Sequence, residues 1–226
     1  MKFRFLGHAG FEFSIKGKKI VIDPFVTGNP LANHIRPEEV QADYILLTHA
    51  HGDHIADAES IAKRCGSVII SNYEIVSYYE SKGIKAHPMN HGGKFVFEFG
   101  TVKYVKADHS SVFPDGTYGG QPGGFVIWND EISLYFSGDT ALTTDMKLIP
   151  LTCPTIQCAI LPIGDNFTMG ADDAVLAAQF VECKKVIGCH FDTFGYIVIN
   201  CEEAKKKFEN QGIQLILPTV GEEFEI

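Results

Sequence analysis

The sequence lacks any apolar run of the ~18 residues that a membrane-spanning helix needs, so a protein that spans a membrane is not expected. Residues 1–10 lack the apolar core of an export signal, and none of the six cysteines forms a CxxC pair. These absences favour a cytoplasmic protein whose cysteines are buried free thiols. Positive charge is also scarce, because 19 Lys and Arg residues stand against 28 Asp and Glu residues, a net charge of −9. Neither nucleic acid nor a membrane surface is therefore an expected partner.

What is present is an ordinary globular composition of 226 residues, 45% hydrophobic and 21% charged. Short apolar runs typical of buried strands, such as 44–47, alternate with helical spacing, as at Ala58, Ile61, Ala62 and Cys65. Each half of the chain is rich in strands and closes with helices, which predicts two packed sheets with helices outside. We therefore predict the α/β class, as a four-layer αββα sandwich in a single domain over residues 1–226.

A dense cluster of imidazole and carboxylate side chains follows one predicted strand. His49, His51, Asp53 and His54 lie within six residues, and these side chains are the usual ligands of zinc, manganese and iron. In an extended segment His49 and His51 point to the same side, so both can reach one ion. The chain then turns at Gly52 and directs Asp53 and His54 to a second point nearby. One loop therefore supplies two adjacent half-sites.

Further ligand-type side chains directly follow other apolar strands, namely His109, Asp139 and His190. Residues just past strand ends gather along one edge of a layered fold, where binding sites are commonly built. Any one of these residues alone would pass for an ordinary polar residue at a strand end. Together with the first cluster they complete two half-sites, and Asp139, which follows Gly138, is the candidate for a carboxylate that bridges them.

Five further side chains are candidates to contact the substrate or to support a metal ligand: His8, Ser110, Asp165, Asn166 and Asp192. Structural alternatives stay open for them. His8 could be a histidine bonded to backbone, Asp165 and Asn166 could form a turn and cap the next helix, and Ser110 could simply finish a strand.

The order and spacing of these residues resemble the metallo-β-lactamase superfamily over most of the chain, from Asp23 to His190. More narrowly, four segments resemble a branch of metal-dependent hydrolases similar to the bacterial ascorbate-6-phosphate lactonase group: Leu6–Gly10, Ala107–Ser111, Leu161–Gly170 and Cys189–Phe194. The resemblance implies the metallo-β-lactamase fold. It also implies a pair of metal sites, one formed by His49, His51 and His109, the other by Asp53, His54 and His190, with Asp139 bridging them.

The implied chemistry is hydrolysis with two divalent ions, zinc as the first choice and manganese or iron as alternatives. Asp53 and Asp139 would orient a hydroxide that bridges the ions and attacks a lactone, an ester or a phosphodiester of a small substrate. The ions would leave the site positively charged, so an anionic substrate is acceptable. The lactonase group forms oligomers, which makes a homo-oligomer an expectation here.

Two other functions remain open at this point. The first is an iron-dependent oxidoreductase on the same metal site. The oxygen-reducing di-iron members of the superfamily carry Glu in place of the second histidine, where this chain has His51, which favours hydrolysis; the single-iron branches are not excluded in this way. The second is a metal-binding scaffold without activity.

Overall fold

The computed structural model describes residues 1–226 and contains two sheets of seven strands each. The first sheet comprises β1 (Lys2–Gly7), β2 (Gly10–Ile15), β3 (Lys18–Ile22), β4 (Tyr44–Leu46), β5 (Val68–Asn72), β6 (Ala86–Met89) and β14 (Glu223–Glu225). The second comprises β7 (Lys94–Phe97), β8 (Gly100–Lys106), β9 (Gly123–Trp128), β10 (Ser133–Phe136), β11 (Cys158–Pro162), β12 (Lys185–Cys189) and β13 (Gln214–Ile216). Their strand orders are β14-β1-β2-β3-β4-β5-β6 and β13-β12-β11-β10-β9-β8-β7.

Each sheet has an antiparallel part and a parallel part. The strands β3 to β6 pair in parallel, as do β10 to β13. Parallel neighbours need a crossover connection, and helices supply most of these: α2 (Ala58–Cys65), α3 (Tyr73–Glu80), α5 (Ala171–Phe180) and α6 (Cys201–Glu209). Two helices of a single turn, α1 (Gly52–Ile55) and α4 (Ile149–Thr152), complete the set, with 3₁₀ turns at Pro37–Glu39, Thr144–Leu148 and Gly195–Ile197.

The sheets pack face to face and carry the helices on their outer faces. Successive residues of β3 show this: Ile20 and Ile22 join the core between the sheets, whereas Val21 joins the core beneath the helices. Across the inner layer, the rings of Phe11 in β2 and Phe136 in β10 meet edge to face at 6.0 Å. The predicted αββα sandwich is therefore confirmed.

All six cysteines are free, but only Cys158, Cys183 and Cys189 are buried. The prediction of buried thiols is wrong for the other three, which are only partly buried: Cys65, Cys153 and Cys201. Each of these lies at or directly beyond the end of a helix on the outside of the sandwich, where one side of the backbone faces solvent. No helix in the structure combines the length and the apolar character needed to cross a membrane.

Candidate metal centre

The side chains of the loop after β4 that could bind a metal point in two directions. His49 Nε2 lies 2.9 Å from His51 Nδ1, so both rings point to the same place, as the extended segment predicts. The single turn of α1 then begins at Gly52 and carries Asp53 and His54 to the other side. The His49 and His54 rings are both fully buried, with centroids 4.1 Å apart. The two half-sites are therefore adjacent.

Three groups of ligand atoms form around this loop, and within each group the atoms lie within 4.8 Å of one another. One of them, Asp23, His49 and His54, shares a histidine with each of the other two groups. Of those two, the first consists of His49, His51 and His109. The second contains the other predicted set and one more histidine: Asp53, His54, His190 and His8. The structure thus brings together all six residues that the resemblance assigned to the two ions.

Asp139 lies between the two groups. Its Oδ2 atom is 2.9 Å from His190 Nε2 and 3.2 Å from His54 Nε2 in the second group. The same oxygen is 3.7 Å from His109 Nε2 and 3.9 Å from His49 Nε2 in the first. One carboxylate oxygen therefore faces imidazole nitrogens of both groups, which is the placement expected of a bridging ligand.

Several residues of the site have backbone angles in the left-handed region. His8, Asp23 and His190 have φ values of 57°, 43° and 55°, which non-glycine residues seldom adopt and which concentrate at functional sites. Gly138, just before Asp139, has φ 65° and approaches its neighbours so closely that a Cβ atom would lie 2.8 Å from Thr48 Cβ. His8, Asp23 and His190 directly follow β1, β3 and β12, so the backbone changes direction just where each of these strands ends.

Asp23 fixes His54 through the ring nitrogen that faces away from the site. It is completely buried, and its Oδ1 accepts a hydrogen bond from the Thr48 amide at 2.9 Å. Its Oδ2 accepts from Thr48 Oγ1 at 2.6 Å and from His54 Nδ1 at 2.9 Å. The opposite ring nitrogen, His54 Nε2, points into the site and is buried without a hydrogen bond. Sequence reasoning gave Asp23 no role, although its place at the end of β3, before Pro24, resembles that of the other strand-end residues.

His8 connects the two sheets at the site. Its Nδ1 lies 3.0 Å from Thr193 Oγ1 and its Nε2 lies 3.2 Å from Asp53 Oδ2. Its carbonyl accepts a hydrogen bond from the His190 amide at 2.7 Å. The ring is therefore bonded to side chains and not to backbone, which excludes the alternative of a histidine bonded to backbone. Thr193 had no signal in the sequence that distinguishes it.

The remaining candidates differ in their placement. Ser110 Oγ lies 3.3 Å from His51 Nε2, at the mouth of the site. Asp192 instead accepts the Ile199 amide at 2.9 Å. Asp165 and Asn166 occupy a tight turn with φ values of 63° and 55° and line a neighbouring cavity of about 600 Å³. These last three side chains do not line the cavity over the ligand groups. Asp165 and Asn166 form the turn of the structural alternative, but they do not cap the next helix, because α5 begins after Gly170 without a side-chain cap.

Burial and charge set the protonation of the site. Burial lowers the pKa of His49 well below its usual value and lowers the pKa of His8 to about 4. Burial also opposes a proton on His54, but the charges of Asp139 and Asp23 outweigh it and hold that pKa well above the usual value. Burial would raise the pKa of Asp139, but the charges and hydrogen bonds of the neighbouring His190 and His54 hold it well below its usual value. A divalent cation binds ionised carboxylate and neutral imidazole. His49, His8 and Asp139 are already in these forms, whereas His54 would release a proton when an ion binds.

A cavity of about 770 Å³ opens over the ligand groups. His51, Asp53, His109, Asp139 and His190 form its floor, together with Ser110 and Thr193 at the sides. The loops after β11 and β12 complete it with Gly195 and three aromatic side chains, Phe167, Phe194 and Tyr196. The site is thus an open pocket large enough for a small molecule.

Known proteins with similar sequences are metal-dependent hydrolases. Residues 18–191 match the family model described as the beta-lactamase superfamily domain. A "UPF0173 metal-dependent hydrolase" of Flavobacterium johnsoniae is 58% identical over 226 residues, covering 100% of both chains. A protein of the same description from Thermus thermophilus is 46% identical over 211 residues, covering 93% of this chain and 92% of its own.

Solved structures agree with these relatives. Igni18, a metallo hydrolase from the archaeon Ignicoccus hospitalis, is similar with a TM-score of 0.89 and 32% identity, covering 100% of this chain and 98% of its own. An isothiocyanate hydrolase from Delia radicum gut bacteria shares the fold, with a TM-score of 0.78 and 19% identity, covering 100% of this chain and 99% of its own.

Proposed function

This chain belongs to the family of the beta-lactamase superfamily domain, within which its relatives are metal-dependent hydrolases, and from that premise we propose that it is a dinuclear hydrolase. Its substrate is a small molecule with a lactone, ester or phosphodiester bond. The two ions are divalent, with zinc as the first choice and manganese or iron as alternatives. A cytoplasmic location and self-association belong to the same proposal.

The observation that carries the proposal is the position of Asp139 between two groups of ligand atoms. His54 Nε2 supports it, because this buried nitrogen faces Asp139 without a hydrogen bond and would otherwise remain unsatisfied. The donors are imidazole and carboxylate throughout, a set that fits zinc, manganese or iron. His49, His51 and His109 would hold one ion, Asp53, His54 and His190 the other, and Asp139 both.

Bound divalent ions would lower the pKa of a water molecule toward ~7 and so supply a nucleophile at neutral pH. The residues of the chain orient the reaction. Asp53 and Asp139 lie on the cavity floor, where their carboxylate oxygens would accept hydrogen bonds from the attacking water. His8 fixes Asp53, and Asp23 fixes His54, so neither side chain has to reorganise during the reaction.

Metal analysis combined with a substrate panel tests the proposal. The protein is stripped with a chelator, reloaded with zinc, manganese or iron(II), and assayed with γ-butyrolactone, p-nitrophenyl acetate and bis-p-nitrophenyl phosphate. We expect about two ions per chain and hydrolysis of at least one probe, which Asp139→Ala removes. Oxygen uptake with iron and no hydrolysis would overturn the proposal in favour of the oxidoreductase. Metal binding without any reaction would leave only the scaffold.

A further inference from the structure

One wall of the site cavity is aromatic and open to solvent. Phe167 is 48% exposed and Tyr196 is 79% exposed, and their rings meet edge to face with centroids 6.1 Å apart. Phe194 is half-buried behind them and lies 5.3 Å from the His8 ring. We call Phe167, Phe194 and Tyr196 the aromatic wall. It rises directly beside the floor that holds the ligand groups.

The backbone holds this wall in place. Phe167 follows the left-handed pair Asp165 and Asn166, which turns the loop after β11 back toward the site. The loop after β12 is closed by Asp192, which accepts the Ile199 amide at 2.9 Å. Two loops with residues in the left-handed region at their bases therefore carry the exposed rings.

Single exposed apolar side chains are common on protein surfaces and need no explanation. These rings differ because they come from separate loops and line the same cavity. Inside a pocket of that kind, aromatic rings bury a large area of a bound group and orient it at little cost in side-chain entropy.

The charges around the cavity also favour an uncharged group. Its lining contains no lysine or arginine, the side chains that usually clamp phosphoryl groups. Lys207 lines the neighbouring cavity and is paired with Asp172 at 2.8 Å and with Glu203 at 3.4 Å. Away from the ligand groups, the pocket therefore offers aromatic surface and no free cation.

We propose that the aromatic wall binds an uncharged apolar or aromatic group next to the reacting carbonyl, so that the substrate is an apolar lactone or ester and not a phosphodiester. This inference rests on the proposed hydrolase function and narrows its substrate class. Phe167 and Tyr196 then determine specificity, and Phe194 supports them.

Two lactones that differ by one ring test the inference. γ-Butyrolactone and α-phenyl-γ-butyrolactone share the reacting bond and the leaving alkoxide. We expect the phenyl lactone to have a KM roughly tenfold lower in the wild-type enzyme. Phe167→Ala and Tyr196→Ala should remove most of that difference, because the KM for the phenyl lactone rises toward the KM for γ-butyrolactone. Tyr196→Phe keeps the ring and should behave as wild type. Tyr73→Ala, at a 62% exposed tyrosine on α3, is the matched control.

Saturation-transfer NMR with 2-phenylethanol separates this inference from the hydrolase proposal, because it needs no reaction. We expect signal on the phenyl protons with the wild-type protein, and its loss in Phe167→Ala and Tyr196→Ala but not in Tyr73→Ala. Wild-type protein that shows this pattern but hydrolyses none of the lactone, ester and phosphodiester probes would overturn the hydrolase proposal alone. Equal KM values for the two lactones, or phenyl binding that is unchanged by both substitutions, would overturn the proposed role of the aromatic wall. A preference for bis-p-nitrophenyl phosphate would overturn the assignment of the substrate as a lactone or ester.

Discussion

The replacement Asp23→Asn tests whether the second half-site depends on a residue that faces away from the cavity. Asparagine has nearly the same shape and tolerates the left-handed backbone at this position, where φ is 43°. It has one acceptor oxygen where aspartate has two. If that oxygen still accepts the hydrogen bond from the Thr48 amide, the new NH₂ group of the asparagine side chain faces His54 Nδ1. That nitrogen must then accept, and the neutral ring carries its proton on Nε2, the atom directed at Asp139.

The size of the effect follows from these contacts. Disturbing a residue that orients a metal ligand costs ~10–100-fold in metal affinity, which is about 1.4–2.8 kcal/mol. Asp23 also accepts three buried hydrogen bonds, so we expect the metal-free fold to lose about 3 kcal/mol of unfolding free energy. Loss of metal affinity and loss of stability must therefore be measured separately.

Asp57→Asn provides the control. Asp57 is likewise buried and accepts three hydrogen bonds, from the amides of Val26 and Thr27 and from Thr27 Oγ1, but it bonds to no histidine of the site. Zinc titration by calorimetry, alongside urea unfolding of the metal-free proteins, compares the two variants. Both should lose stability, and only Asp23→Asn should lose zinc affinity. Equal zinc affinities in wild type and Asp23→Asn, or equal losses in both variants, would refute the reasoning.

Three further predictions follow from other parts of the structure. His8→Asn removes the bond to Asp53; we expect ~10-fold weaker binding of one of two zinc ions, and calorimetry showing both ions unaffected would contradict this. Gly138→Ala introduces a Cβ 2.8 Å from Thr48 Cβ at a φ of 65°; we expect a loss of at least ~2 kcal/mol, measured by thermal unfolding, and an unchanged Tm would contradict it. Burial raises the pKa of the Cys158 thiol to about 12. Since only the thiolate reacts, iodoacetamide at pH 8 should alkylate the partly buried Cys65 and spare Cys158 until the protein unfolds, as mass spectrometry can show.

The fold and the ligand groups could be predicted because their signals are local. Apolar runs and helical spacing identify strands and helices, and the segment from His49 to His54 carries four donors by itself. Asp139 and His190 could be added because both follow apolar strands, whose ends meet at one edge of the sandwich.

The rest depends on contacts between distant parts of the chain. His8 and Thr193 are 185 residues apart and meet only because the ends of β1 and β12 adjoin across the two sheets. Asp23 and His54 are 31 residues apart and pair because β3 and β4 lie side by side. The aromatic wall likewise arises from two loops that no single sequence pattern connects. The partial exposure of Cys65 and Cys201 depends on where helix ends fall on the outer surface.

The central claim is that Asp139 lies between two cations, and anomalous diffraction from crystals grown with zinc tests it most directly. We predict two peaks above the zinc edge, one among His49, His51 and His109 and one among Asp53, His54 and His190, with Asp139 Oδ2 in contact with both. A single peak, peaks elsewhere on the surface, or an Asp139 carboxylate turned away from the zinc would contradict the claim.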